Sequence, residues 1–241
     1  MKPKQRYKRG YPVALLVGFE DDYAVLWQVF SHVVKPRVRL ELGGKRTDDR
    51  ALYNFHESVV DALRPLLKEG VKSIVVTAPM KTTYAADFLD HVRKHHAYLI
   101  QSKSPGATFA ELVGSAGQPH NVAELVKTKE FRKLITQTTS EEADNIVNTL
   151  EKHLYNNNSV VLFSLKEIED MVCDQEWHDN FRAEYLVLTD KYLADCKDKN
   201  RIQRLLQISK NKKVRTKIVN VETPAGQRIT QFGGIVFFTV R

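Results

Sequence analysis

The stretch Ala183-Glu-Tyr-Leu-Val-Leu-Thr-Asp190 decides the fold class once it is read with Gly233-Gly-Ile-Val-Phe-Phe-Thr-Val-Arg241. Both are short apolar runs rich in β-branched and aromatic residues, bounded by turn formers, as strands buried on both faces are. Between them lie a basic stretch of helical pattern and a further strand candidate, Val214–Val221. Alternation of buried strands with amphipathic helices predicts an α/β layer fold.

The same alternation extends upstream. Residues 12–18 (Pro-Val-Ala-Leu-Leu-Val-Gly) read as a first strand, Asp21-Asp22 as a turn, and Tyr23–Phe30 as the second strand of a hairpin. Val33–Leu42 reads as a third strand, broken by Gly43-Gly44. A helix follows, capped by Thr47, Asp48 or Asp49, with Leu52, Phe55, Val59, Val60, Leu63, Leu66 and Leu67 in one apolar stripe. Pro65 falls near its end and Gly70 stops it. Val71–Ala78 is a buried strand, and a helix capped by Thr82 or Thr83 runs to about His96. Tyr98–Gln101 reads as another short strand, and residues 102–121 as loop.

Further on, helices are expected over about 121–136 and 140–155, the second capped by Thr139 or Ser140 ahead of Glu141-Glu142. Asn156-Asn157-Asn158 reads as a turn, Val160–Phe163 as a strand, and Leu165–Val172 as a short helix. Residues 174–182 are polar apart from Trp177 and Phe181. The expected organisation is a basic N-terminal tail over 1–9, one α/β domain over 10–138, and a second over 139–241 that opens with a connecting helix.

Composition bounds the function. Apolar residues make up 42% of the 241 and charged residues 27%, within the ordinary range for a globular protein. No run approaches the ~18 apolar residues of a membrane span, and the basic N-terminus leads into no apolar signal core. The two cysteines, Cys173 and Cys196, match no zinc spacing and no disulfide framework, which points to a reducing cytoplasm. A net charge of +8 points to an anionic partner, nucleic acid first. No Walker loop, dinucleotide fingerprint, zinc set or nucleophile elbow is present, so no cofactor is expected.

Taken together, the runs at 183–190 and 233–235 resemble the two most recognisable signatures of the C-terminal domain shared by Pelota and the archaeal and eukaryotic peptide release factors. Residues 142–165 resemble its opening helix and strand. The order Arg39-Leu-Glu-Leu42, Gly43-Gly44-Lys45 and a long helix from Asp48 resembles the families' middle domain. So does the strand Ser73–Ala78, and Gly114–Leu125 resembles a later glycine-rich segment leading into a helix. The Vms family of ribosome quality-control proteins is similar in this middle domain too, where a Tyr-Asn pair corresponds to Tyr53-Asn54. A first strand near residue 12 leaves the families' N-terminal decoding domain without a counterpart, so no reading of stop codons is expected.

The resemblance implies a ribosome-associated rescue factor, closest in role to the Vms-like proteins. It implies contact with the large subunit, with tRNA or rRNA, and with a translational GTPase or recycling ATPase. In release factors a Gly-Gly-Gln loop hydrolyses peptidyl-tRNA: glycines let the backbone enter a tight site, and the glutamine with a backbone N–H positions water and stabilises an oxyanion. Here the loop reads Gly43-Gly44-Lys45. Lysine accepts no hydrogen bond, and its charge seeks phosphate. Gln118, in Gly114-Ser-Ala-Gly-Gln118, is a second candidate for a catalytic glutamine, although its place in the chain order differs. The competing expectations are peptidyl-tRNA hydrolysis or tRNA cleavage, non-hydrolytic occupancy of the tRNA site, and a non-catalytic basic RNA-binding or adaptor module.

Candidate RNA contacts are Arg46 and Arg50 beside the glycine loop, Arg93 and Lys94 at a helix end, and Lys210, Lys212, Lys213 and Arg215. The last four sit in 197–217, which holds nine Lys or Arg against one acid, Asp198. His91 and His95, four apart, share a helix face with Asp87, and His96 follows. With no third ligand evident, the reading is a polar helix end near the C-terminal dipole, with no metal.

Overall fold

A computed structural model describes residues 10–101, 106–156, 159–173 and 182–240. The tail read over 1–9, the turn at 157–158 and the polar segment 174–181 lie outside the described residues. The chain divides into two compact units. One comprises the described residues up to Leu63, with Ser73–Ile100 and Thr108–Thr138. The other comprises Arg64–Lys72, the described part of 101–107, and the described residues from Thr139 onward.

The first unit is built on a five-stranded sheet in the order β3-β2-β1-β4-β5. Its strands are β1 (Pro12–Phe19), β2 (Tyr23–Phe30), β3 (Val34–Glu41), β4 (Ser73–Ala78) and β5 (Thr108–Val113). β2 runs antiparallel to both β1 and β3, whereas β1, β4 and β5 are mutually parallel. Every residue of β4 is buried, its apolar Ile74-Val75-Val76 flanked by the small hydroxyl residues Ser73 and Thr77. At the edge, β3 carries Lys35, Pro36, Arg37 and Arg39 among mostly exposed positions, and its register against β2 shifts between Leu26 and Trp27, beside Pro36.

Helix α1 (Asp49–Lys68) starts where Asp48 accepts hydrogen bonds from the backbone N–H groups of Arg50 (2.9 Å) and Ala51 (3.2 Å). Its stripe of Phe55, Val59, Val60, Leu63, Leu66 and Leu67 is buried. Glu69 and Gly70, the latter at φ 107°, close it. α2 (Tyr84–His95) returns the chain after β4.

Three expectations fail here, each for a local reason. Tyr98–Gln101 is one helical turn, α3, held by the bonds from Leu99 N–H to His96 and from Ile100 N–H to Ala97. The sheet position expected of it is filled by β5, inside the stretch read as loop. β5 pairs with β4 from Ser73↔Thr108 to Ala78↔Val113. The helices expected to break at 136–140 form a short α4 (Pro119–Leu125) and one continuous α5 (Lys129–Leu154). Thr139 and Ser140, the expected caps, lie inside α5, and beside them the Thr138 hydroxyl donates back to the carbonyls of Leu134 (3.0 Å) and Ile135 (3.2 Å), a use of threonine that leaves the helix unbroken. The division between units at Thr138/Thr139 thus falls inside α5.

The second unit has a four-stranded sheet in the order β6-β9-β7-β8, from β6 (Ser159–Leu162), β7 (Arg182–Thr189), β8 (Arg215–Val219) and β9 (Ile235–Val240). Alternate residues of β7 and β9 face opposite layers. Tyr185, Val187, Val236 and Phe238 pack on Ile146 and Leu150 of α5 and on Ile229 of the helix Pro224–Gln231. Leu186, Leu188, Ile235 and Phe237 pack on α6 (Leu165–Cys173) and on Ile202 and Leu205 of the helix Lys199–Asn211. In chain order the remaining helices are α7 (Asp190–Asp195), α8 (Lys199–Asn211) and α9 (Pro224–Gln231).

The two signature runs have structural duties. Thr189 Oγ1 accepts from the N–H of Tyr192 and caps α7, and the Asp190 carboxylate accepts from the N–H of Val221 (3.0 Å). Gly233 and Gly234 sit at φ 95° and 84°, where a side chain would be strained, and a Cβ on Gly234 would come 3.0 Å from Tyr192. Below this turn Glu142, wholly buried, pairs with Lys217 and accepts from the N–H of Lys72 (3.0 Å). Burial raises the pKa of Glu142 against the pull of Lys217.

Candidate functional site

Strand directions place the chemistry. β1, β4 and β5 run one way, and β3, antiparallel to β2, runs with them. Their carboxyl ends therefore share one edge of the sheet. Four connections meet there: the turn Glu20-Asp21-Asp22, the loop Gly43–Asp48, the loop from Pro79 to Thr83, and the loop Gly114–Gln118. Ligand sites in open α/β sheets gather at this end of the strands.

The Glu20–Asp22 turn ties the other three together. Arg46 donates to the carbonyls of Glu20 and Asp21, the latter at 2.7 Å, and lays its guanidinium 3.6 Å over the ring of Tyr84. Burial lowers the Arg46 pKa, and one guanidinium nitrogen is buried without a hydrogen-bond partner. The hydroxyl of Tyr84, at the start of α2, donates to Asp21 at 3.0 Å. On the other side Glu20 Oε1 accepts from the hydroxyl of Ser115 and from the N–H of Gly117 (2.9 Å).

Both candidate loops therefore stand at the same tip, in different states. Gly43, Gly44 and Lys45 are exposed, and a Cβ on Gly43 would meet nothing within 4 Å. Gly44 faces Ala51 of α1, where a Cβ would lie 2.8 Å away. The Gly114–Gln118 loop is fixed: Trp27 Nε1 donates to the Ala116 carbonyl at 2.7 Å, and Asn121 donates to the Ser115 hydroxyl at 2.7 Å. Gln118 occupies the N-cap position of α4 with an exposed side chain that donates to Tyr23 Oη at 3.5 Å. The tip also carries Met80, 73% exposed, and an exposed Lys81 at φ 67°.

The candidate RNA-contact residues separate by position. Lys45 and Arg50 are exposed at this tip, whereas Arg46 is turned inward as described. Arg93 and Lys94 are exposed in the last turn of α2, Arg93 paired with Asp90 at 2.6 Å. In the second unit Lys210 is exposed with Glu69 at 3.5 Å, and Lys213 is exposed at φ 59°. Lys212 is half-buried, and so is Arg215, whose guanidinium lies 5.3 Å from the ring centre of Tyr185.

The histidines of α2 meet a residue that spacing did not indicate. His91 and His96, both buried, direct Nε2 at the same carboxylate oxygen of Glu57 on α1, at 3.0 and 2.7 Å. His96 follows the helix at φ −130° and swings back, so it joins His91 where His95 does not. Asp87, the acid expected on that face, instead accepts from the Thr83 hydroxyl. Burial raises the pKa of Glu57, and the bonds from His96 and His91 outweigh it, leaving it lowered. Next door, burial and the charges of His91 and Arg46 hold His56 down at about 4, neutral at physiological pH.

No family model matches the chain. Among curated proteins, the Pelota homologues of Pyrococcus abyssi and Pyrococcus furiosus are each 23% identical, over 228 and 230 residues and 92% of this chain. The chain resembles the Pelota and release-factor superfamily. Its fold agrees: an archaeal Pelota described with ABCE1 on the ribosome superposes at TM-score 0.54, 16% identical, over 99% of this chain and 64% of that one. Saccharomyces cerevisiae Dom34, described as a termination-like factor of RNA quality control that interacts with Hbs1, superposes at 0.50, 17% identical, over 98% and 64%. The expected α/β architecture of release-factor type is thus borne out. The chain spans 59% of the length of its curated Pelota relatives.

Proposed function

We propose that this chain is a ribosome-associated factor of Pelota type that enters the tRNA site of stalled ribosomes or large subunits and frees them without hydrolysing peptidyl-tRNA. The observation that carries the reading is the exposed Gly43-Gly44-Lys45 loop at the tip of the first unit. A loop meant to enter a narrow RNA site must project, and one ending in lysine binds phosphate where a glutamine would position water. Lys81 and Arg50 stand close by in the chain's fold and share that role. Residues 10–138 serve as the middle domain, directed to the peptidyl-transferase centre, and 139–241 as the C-terminal domain. A translational GTPase or recycling ATPase belongs to the proposal, on the analogy of the Hbs1 and ABCE1 named for the relatives. So does a cytoplasmic location; among the described residues no helix is long and apolar enough to cross a membrane.

The test is co-sedimentation with stalled complexes carrying labelled peptidyl-tRNA, with release of the peptide followed in the same samples. Stable binding without release, weakened by Lys45→Ala, is expected. Release abolished by Lys45→Ala or Gln118→Ala would replace the proposal by hydrolysis. Failure to bind at physiological salt would leave a basic adaptor module, and shortened tRNA would mark a nuclease.

A further inference from the structure

Outside the tip, the first unit contains a donor set that the ribosomal reading does not use. Glu57 Oε1, His91 Nε2 and His96 Nε2 come from two neighbouring helices and lie within 4.8 Å of one another. The two imidazoles are only 8% and 6% exposed, and Glu57 is half-buried. Such convergence is costly to arrange by chance. A surface glutamate ordinarily points to water, whereas this one is reached by two buried rings from the same side.

We infer that Glu57, His91 and His96 form a zinc site that staples α1 to α2. Two imidazole nitrogens and one carboxylate oxygen make a set that Zn²⁺ takes in tetrahedral coordination. Bonds of about 2.0–2.2 Å would hold such ligand atoms about 3.3 Å apart, and two of the present separations, 2.7 and 3.0 Å, need open only slightly. The absence of sulfur argues against Cu(I) and iron–sulfur clusters, and the two imidazoles argue against Mg²⁺ and Ca²⁺. The fourth position falls to water; the exposed ring of His95, centred 4.9 Å from that of His91, stands outside the donor set. Tyr53 packs edge-on against both of those rings and is 43% exposed, so the site is reachable from solvent.

Its placement gives the ion a bridging role between two elements, while the open fourth position leaves it accessible from solvent. Glu57 lies eight residues into α1, about 12 Å along a helix that begins at the glycine loop. A metal bridging it to the end of α2 fixes the helix on which that loop is mounted. This inference is independent of what the loop contacts.

The test uses the untagged full chain, stripped with a chelator and titrated with zinc in competition with a chromophoric indicator. One zinc per chain is expected. Glu57→Gln, His91→Ala and His96→Ala each remove a ligand and are expected to weaken binding by roughly 100-fold or more, at or beyond the upper end of what losing a mere outer-shell partner costs. His120→Ala, exposed and on another helix, is the control and is expected to bind as the parent does. Cobalt substitution reports geometry: intense visible bands of a four-coordinate ion are expected in the parent and absent in Glu57→Gln, which keeps the glutamate's size and remains folded if a histidine variant does not. No zinc bound by the parent, or Glu57→Gln binding zinc as tightly with the cobalt bands intact, would overturn the inference.

Discussion

Two glycine-bearing loops stand at one end of the first sheet, and the fold treats them in opposite ways. Around Gly114–Gln118 the protein closes in. Trp27 and Glu20 bond to the loop, and Gly18 lies so near that a Cβ there would come 2.5 Å from the Ala116 side chain. Around Gly43–Lys45 it withdraws, leaving open space beside Gly43. Glycine is needed in the first case for close packing of backbone. In the second the fold leaves open space at Gly43, and under the proposed function the demand for a small residue there comes from the ribosomal site. Identical residue types thus stand in a packed turn and in an exposed loop, and only their surroundings tell them apart.

The comparison is broken most directly at Gly18. Gly18→Val would press on the Ala116 backbone, which cannot rotate away, and a loss of about 3 kcal/mol in urea unfolding is expected. Trp27→Phe keeps the ring but leaves the buried Ala116 carbonyl without its donor; about 2 kcal/mol should be lost in the same measurement. Arg46→Ala probes the residue between the loops. Its bonds to the carbonyls of Glu20 and Asp21 and its packing on Tyr84 are part-exposed, so about 1 kcal/mol is expected. An Arg46→Ala protein as stable as the parent would move that arginine to the RNA-contact group. The smallest effect belongs to the open loop. Gly43→Ala and Lys45→Ala should change stability by less than about 0.5 kcal/mol. On ribosomes Lys45→Ala should also reduce the slope of log affinity against log salt by about 1.

Much of the architecture was legible because burial was written in composition. β1 and the centre of β4 read as apolar runs, and the α1 stripe from Phe55 to Leu67 repeats at helical spacing. β5 was hidden because it is an edge strand with Thr108 and Glu111 among its residues, and only pairing with β4 makes it a strand. α5 reads as two helices because Thr139 and Ser140 ahead of Glu141-Glu142 resemble a cap; whether such a hydroxyl caps or bonds back within a helix, as Thr138 does next door, depends on the turn before it. At the tip, the sequence places Gly43-Gly44 between a strand and a helix, but neither the exposure of that loop nor the inward turn of Arg46 is legible in it. The partner of His91 was beyond reach for a further reason. Periodicity relates residues on one helix, whereas Glu57 belongs to another, and His96 reaches it only because the backbone leaves the helix there.

The edge strand β3 has a consequence for how the protein behaves in concentrated solution. Among the described residues, Val34–Glu41 has a neighbouring strand on one side of its backbone only, since β3 ends the sheet. Such an edge is a template on which a second copy could zip up into an aggregate. Pro36 has no N–H to donate, and Lys35 and Arg37 set like charges against like on any approaching copy, whereas Arg39 is paired with Glu41 on the same strand. Part of the basic charge that invites an RNA reading therefore has a colloidal duty. A variant that neutralised this strand to sharpen nucleic-acid specificity would trade it for self-association.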